Sequence, residues 1–259
     1  MKNQRREFIK KAFAGTLAVS AAGTLYGFAK KINVLANKAE EKIVKKLIVR
    51  KIDFKGAIDL EIAEKLLEMH SEYQFIDTIN WPSYAYKPVV KFKIAYCQNQ
   101  IWLKFSVSED TVRAKETKVN GAVCKDSCVE FFFSPNKDGS YYNFEFNCVG
   151  VPHVGYNSVK NKLLIDPENI KLIRVKSSLG KQPFEEKIGG YHWEMMVVIP
   201  KECFVYDNDL ELKGLNATAN FYKCGDETST PHYLTWNPVG TKDPDYHQPK
   251  YFGELLFEK

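Results

Sequence analysis

The sequence predicts an all-β fold, a two-sheet antiparallel β-sandwich with one short N-terminal helix. Three observations carry this. Roughly nine to eleven segments alternate apolar and polar residues with the period of two expected of half-buried strands. Turn residues punctuate them, and after the leader only one stretch has helical spacing. Aromatic residues make up 14% of the chain, with no low-complexity tract and no internal repeat, which suits one core rather than an array of units.

The first strand is Leu47 to Ile52. Ile58, Ile62, Leu66 and Met69 or His70 then recur at helical spacing with Glu61, Glu64, Lys65 and Glu68 between them, which predicts a short amphipathic helix. Val90, Phe92, Ile94 and Tyr96 form one inward set. Ile101, Leu103, Phe105 and Val107 form the next, across a turn at Gln98-Asn99. The central hairpin runs from Asp126 to Gly150, turning at Asn136, Asp138 and Gly139. Val129, Phe131 and Phe133, then Tyr142, Phe144, Phe146 and Cys148, share the faces that should look into the core. Weaker strands follow at Val151–Ser158 and Ile170–Lys176. Trp193, Met195, Val197 and Ile199 form another inward set, ended by Pro200, and Leu215, Ala217, Ala219 and Phe221 another. Tyr233–Trp236 and Phe252–Phe257 close the chain around a proline-bearing loop, Asn237 to Lys250.

Charge and cysteines limit the function classes. The formal net charge is +5. Lys2, Arg5, Arg6, Lys10 and Lys11 against Glu7 put +4 of it in residues 1–29, leaving about +1 for the rest. A nucleic-acid partner is therefore not expected, because no basic stripe remains to meet phosphates. Arg5-Arg6-Glu7-Phe8-Ile9-Lys10 is a twin-arginine pattern before a run of small and apolar residues from Ala12 to Ala29. Residues 1–36 thus read as a signal peptide and spacer, residues 47–259 as one domain, and the location as periplasmic or secreted, with no permanent membrane span. Six cysteines permit up to three disulfides, and spacing does not choose a pairing. Cys124 and Cys128 in one extended strand would sit about 13 Å apart, too far to bridge. Mostly buried thiols with at most one or two bridges are expected. With no CxxC and no Cys/His cluster, zinc is not.

The outward positions of the central hairpin are Cys128, Glu130, Phe132 and Ser134, then Tyr141, Asn143, Glu145 and Asn147. Carboxylates, amides and rings side by side suit sugar hydroxyls and sugar faces, whereas an antiparallel sheet also shows a polar face simply to meet water. Asn216, Thr218, Asn220 and Tyr222 make a similar face.

The order WP–Y–KP (Trp81 to Pro88), DSCVEFF (Asp126 to Phe132), YYNFEFN (Tyr141 to Asn147), NFYKCGD (Asn220 to Asp226), and PHYLTWNP with HQPKYFGELLF (Pro231 to Phe257) resembles the carbohydrate-binding module family 9-like domains. The resemblance spans roughly Leu47 to Lys259. It implies a β-sandwich that binds glycans without cleaving them, sometimes with structural calcium, and with a polysaccharide-degrading enzyme as a partner. Family modules hold a sugar between two tryptophans. Carried onto this sequence, Glu130 matches a sugar-contacting acid and Trp236 one tryptophan. The other would stand near Cys124, where this chain has none, and Trp81, Tyr86 or Tyr222 are possible substitutes. The expected carbohydrate site is therefore Glu130, Asn143, Glu145 and Asn147 for hydroxyls, Trp236 for stacking, and Asn237 and His232 beside it.

Two other chemistries have residues to support them. Glu130 and Glu145 on adjacent strands would be the pair of a glycoside hydrolase. Met195, Met196 and His192 offer axial ligands for haem b, which related exported electron-transfer sandwiches carry. Asp207-Asn208-Asp209 and Asp243 with Asp245 are candidate calcium ligands or ordinary turn residues.

Overall fold

The computed structural model describes residues 44–259. The twin-arginine pattern and the spacer, residues 1–36, lie outside the described residues. Fourteen strands account for most of the regular structure: β1 Lys46–Lys51, β2 Gln74–Phe75, β3 Thr78–Ile79, β4 Val89–Cys97, β5 Gln100–Ala114, β6 Cys128–Ser134, β7 Tyr141–Asn147, β8 Pro152–Asn157, β9 Lys162–Leu164, β10 Arg174–Ser177, β11 Phe184–Pro200, β12 Asn216–Cys224, β13 Tyr233–Thr235 and β14 Gly253–Phe257. The helices are α1 Leu60–His70 and the single turn α2 Pro167–Ile170.

The all-β class holds, but the strands form one continuous curled path rather than two separate sheets. The order is β10-β11-β5-β4-β1-β14-β12-β6-β7-β8-β9. β1 is the joint, since Lys46 to Val49 pair with β14 while Arg50 and Lys51 pair with β4. Both of these pairings are parallel, where only antiparallel ones were expected; the other pairs are antiparallel. The curl brings inner faces together, and Phe92 of β4 stacks on Phe221 of β12 with ring centroids 3.7 Å apart. The predicted inward sets of β4, β5, β6, β7, β11 and β12 all lie in this core.

Local chemistry explains the edges of these elements. The β4–β5 turn places Gln98 and Asn99 at φ 47° and 60°, the double left-handed backbone of a tight hairpin twist. Asp59 caps α1 by accepting from the Ile62 amide at 2.8 Å. The helix buries Ala63 and Leu67 against Trp102, Met196 and Val198, so the seam is turned from the predicted one and Met69 faces out. The strand expected over Ile170–Lys176 starts late because Pro167 and the Asp166 cap first make α2.

A third layer lies outside β6, β7 and β12. Trp81, Val123, Val239, Tyr246 and Phe252 pack over Cys128, Phe132, Tyr141, Tyr222 and Cys224 as a separate apolar cluster. Every residue of β6 and β7 is consequently buried on both faces. The exposed polar wall expected from the alternation does not exist.

Candidate functional site

The covering layer is the chain from Asn237 to Phe252, held down by its own side chains. The Tyr246 ring stacks on Tyr222 at 4.0 Å, and its hydroxyl donates to the Lys223 carbonyl at 3.0 Å. Trp81 Nε1 donates to the Thr241 carbonyl at 3.0 Å, and the Val239 amide donates to Asn80 Oδ1 at 2.8 Å. Tyr141 Oη lies 2.9 Å from His247 Nδ1. These contacts strap the loop across the sheet but leave a gap beside Pro244 to His247.

That gap is a pocket of about 190 Å³ lined by Cys124, Glu130, Glu145, Cys224, Asp226, Tyr233 and the strap residues Pro244 to His247. Register builds its floor: Glu130 stands directly opposite Glu145 on β7 and opposite Tyr222 on β12. Cys224 Sγ donates to Glu130 Oε1 at 3.1 Å. Asn143 Nδ2 donates to Glu145 Oε1 at 2.8 Å, and Asn157 Nδ2 in turn donates to Asn143 Oδ1 at 2.7 Å. Asn143 thus orients Glu145 from below. Burial pushes the Glu130 carboxyl well above its ordinary range, and the adjacent Glu145 adds to this. Burial also raises Glu145, partly opposed by His153 and the Asn143 amide. Asp226 is raised by burial as well, against hydrogen bonds from Cys124 and Tyr233. Carboxyls that hold their protons are donors as well as acceptors, which widens what they can grip. A second hollow of similar size adjoins, lined by Asn143, His153, Asn157, Lys162 and Leu163 and sharing His247.

The structure brings Glu130, Asn143 and Glu145 together and removes the other expected residues from the site. Trp236 is 2% exposed. Its indole meets Phe92 and Phe221 edge-on at 6.2 and 5.6 Å, deep in the main core. Asn237 is fully buried as a splice: it accepts from the Lys45 amide, donates to the Tyr251 carbonyl, and its backbone amide binds Asn220. Asn147 ties the Asp126 carboxylate, the Glu116 carbonyl and the Val151 amide together. His232 is fully buried against Lys223, Nε2 to Nζ 2.7 Å. For Asn147, alternation reports which face a side chain takes, not whether another layer covers that face. Trp236, by contrast, lies on the inner face, in the main core, and Asn237 and His232 are likewise buried.

Cys124, where the second tryptophan would stand, does line the pocket. Of the suggested substitutes, Trp81 is buried in the covering layer and Tyr222 beneath it, and the Tyr86 ring is set edge-on against His232. Tyr233 is the aromatic residue that sequence patterning misses. It is half-buried at the pocket wall, edge-on to Tyr84 at 4.8 Å. Its place at the end of a three-residue strand leaves no periodic signal.

The candidate haem ligands are not brought together. Met195 and Met196 point to opposite faces, into the main core and under α1 respectively, while His192 is exposed and paired with Ser108. Asp207 accepts from the Asn136 amide and the Tyr142 hydroxyl at 2.6 and 2.7 Å. Asp245 accepts from the His247 amide and the Gln248 side chain. These carboxylates are engaged in closing turns and do not converge on an oxygen cage for calcium. All six cysteines are free thiols. Among the described residues, no helix is long and apolar enough to cross a membrane.

A family model described as carbohydrate-binding family 9 matches residues 61–257. The crystal structure of a candidate carbohydrate-binding protein from Bacteroides uniformis is 40% identical over 83% of this chain and 100% of its own, with a TM-score of 0.80. Two structures of a family 9 carbohydrate-binding module from Caldicellulosiruptor kristjanssonii also match over 83% of this chain. The glucose complex is 15% identical over 96% of its length, with a TM-score of 0.51. The cellotriose complex is 16% identical over 94% of its length, with a TM-score of 0.53. At that identity they share the fold alone. No curated protein matches the chain in sequence.

Proposed function

The chain belongs to carbohydrate-binding family 9, and from this premise we propose that the pocket over β6 and β7 binds one sugar unit of a glycan without cleaving it. The observation that carries the reading is the acid-floored pocket left open between Tyr233 and the strap, with Glu130, Glu145 and Asp226 at hydrogen-bonding positions along one cavity. Its volume falls below the roughly 300–1,000 Å³ of a site for drug-sized ligands. That favours a chain end or a single ring over an extended strand of sugars. Carboxyls would take hydroxyls at roughly 0.5–1.5 kcal/mol net for each bond. The Tyr233 ring supplies the apolar contact that the buried Trp236 cannot. Ordering costs leave weak affinity.

Binding is favoured over hydrolysis by the direction of the two acids. A glycosidase places its carboxyls on opposite sides of the scissile bond. Glu130 and Glu145 rise from neighbouring strands of one floor, so they meet a ligand from the same side. The twin-arginine pattern in the sequence supports the finer reading, an exported module accessory to polysaccharide breakdown.

The test is a glycan array of mono- and oligosaccharides, followed by calorimetry on the best ligand with Asp226→Asn and Tyr233→Ala. Both are at the pocket wall rather than in the core, so their folding is checked by thermal melting. Loss of about 2- to 10-fold in affinity from each, the scale of one hydrogen bond or ring contact, is expected. Unchanged binding in both would overturn the site.

A further inference from the structure

We propose that the floor of this pocket is a binding site for a thiophilic divalent metal ion, Zn²⁺, held by Cys128, Cys224 and Glu130. Cys128 and Cys224 are 96 positions apart in sequence yet stand directly opposite each other on β6 and β12. Glu130 lies two residues along β6, on the same face as Cys128. The Sγ atoms of both cysteines and a Glu130 carboxylate oxygen all lie within 4.8 Å of one another. Cys224 Sγ already contacts Glu130 Oε1 at 3.1 Å. Tetrahedral zinc needs metal–sulfur bonds of about 2.3 Å and metal–oxygen bonds of about 2.0–2.2 Å, so small rotations of these side chains close the shell.

The donor set selects the ion. Two sulfurs with one carboxylate are too soft and too few for calcium or magnesium, and match zinc or its surrogate cobalt. Three protein ligands leave a fourth position, as in open rather than structural zinc sites. Cys224 and Glu130 line the pocket, so that position faces the cavity and the ion has an entry path. Glu145, opposite Glu130, is held by the Asn143 amide and adds negative charge beside the site. Binding exchanges protons for the ion: each thiol becomes a thiolate and releases its proton to solvent, as does Glu130 where it is protonated. No electron moves. The proposal stands independently of the sugar reading, since it needs only the two strands and their register.

The experiment uses the full chain purified under reducing conditions, stripped with chelator, and titrated with Co²⁺ and then Zn²⁺. One equivalent of Co²⁺ should bind with a thiolate-to-cobalt charge-transfer absorption that Zn²⁺ displaces. Zinc should also protect two of the six thiols from a disulfide reagent in the wild-type protein. Cys128→Ser and Cys224→Ser should each weaken binding by at least ~100-fold, the upper end of what losing even an outer-shell partner costs. Glu130→Gln, which keeps its shape, should weaken binding without removing the charge-transfer band. Cys97→Ser, under α1, should bind as wild type. Lack of binding by the wild-type chain, binding unaffected by the Cys128 and Cys224 changes, or a Cys128–Cys224 disulfide that persists in reductant would each overturn the proposal. Thiol protection is measured on the wild-type chain, so it decides the matter even where a serine variant folds poorly. Glycan calorimetry in chelator tests the sugar reading separately.

Discussion

Replacing His232 with glutamine separates a buried structural histidine from a sugar-binding one. Lys223 Nζ sits 2.7 Å from His232 Nε2. An ammonium can only donate, so Nε2 must be the unprotonated nitrogen, and Nδ1 carries the hydrogen toward the Thr230 carbonyl at 2.8 Å. The Glu109 carboxylate, 3.8 Å from the ring, is already paired with Lys223 at 2.8 Å and takes the Trp193 indole N–H. Tyr86 closes the other side with its ring edge-on. Burial first, and the Lys223 charge second, lower the His232 pKa from 6.5 to about 3. The folded value lies below the unfolded one. The neutral ring's contribution is therefore complete above about pH 6.5 and declines as pH falls toward 3, because the unfolded chain takes up the proton that the folded chain refuses. At about 1.36 kcal/mol per unit, the loss between pH 7 and pH 4.5 is about 2.5 kcal/mol. Urea unfolding of wild type and His232→Gln at both pH values measures it. The wild-type advantage over the variant should shrink by about 2.5 kcal/mol on acidification. Glycan affinity at pH 7, measured well below the melting point, should be the same in both. A pH-independent difference, or loss of glycan binding with unchanged stability, would refute the buried-neutral assignment.

Trp236→Ala should cost about 3–5 kcal/mol of stability, read by denaturant unfolding, because it empties a fully packed core position. Trp236→Phe should cost less and leave glycan retention intact. Gly253→Ala should destabilise by about 1–3 kcal/mol, since an added Cβ would meet Trp236 Cζ3 at 2.4 Å and the Lys45 carbonyl at 2.7 Å; the shift in midpoint is the measure. Lys223→Met should lose about 3–5 kcal/mol by leaving Glu109 as an unpaired buried charge, while the double change Lys223→Met with Glu109→Gln should recover part of it in a double-mutant cycle. Asn143→Ala should weaken glycan affinity more than it lowers the melting temperature, because it releases Glu145 from the 2.8 Å bond that aims it.

Local pattern carried the inner half of this fold. Phe131, Phe133, Phe144 and Phe146 alternate, and all four are in the core. The helical spacing that begins at Ile58 placed α1, and Gln98-Asn99 placed a hairpin. What failed was the outer half, for one reason repeated. Glu130, Asn147 and Asn220 look like solvent-facing residues because polar side chains alternate with apolar ones, yet irregular chain covers that face: Asn220 is bonded to Asn237 and Asn147 to Glu116 and Asp126, while Glu130 accepts from the Cys224 thiol of β12. A loop has no period, so no window of sequence reports where it folds back. Trp236 misled similarly, because its proline-bearing neighbourhood suggests exposure whereas the curl seats it between Phe92 and Phe221.

Residue order alone was enough for the class, the inward faces of the long strands and the placing of Glu130 and Glu145 on one face of adjacent strands. These follow from side-chain chemistry read at a spacing of two, which is local. Closure of the fold was needed to roof the polar face, to set Tyr233 rather than Trp236 at the opening, and to bring Cys128 against Cys224. Those outcomes depend on register and closure between segments about a hundred residues apart, and the free energy that fixes them comes from burying two apolar layers at once rather than from any single stretch of chain.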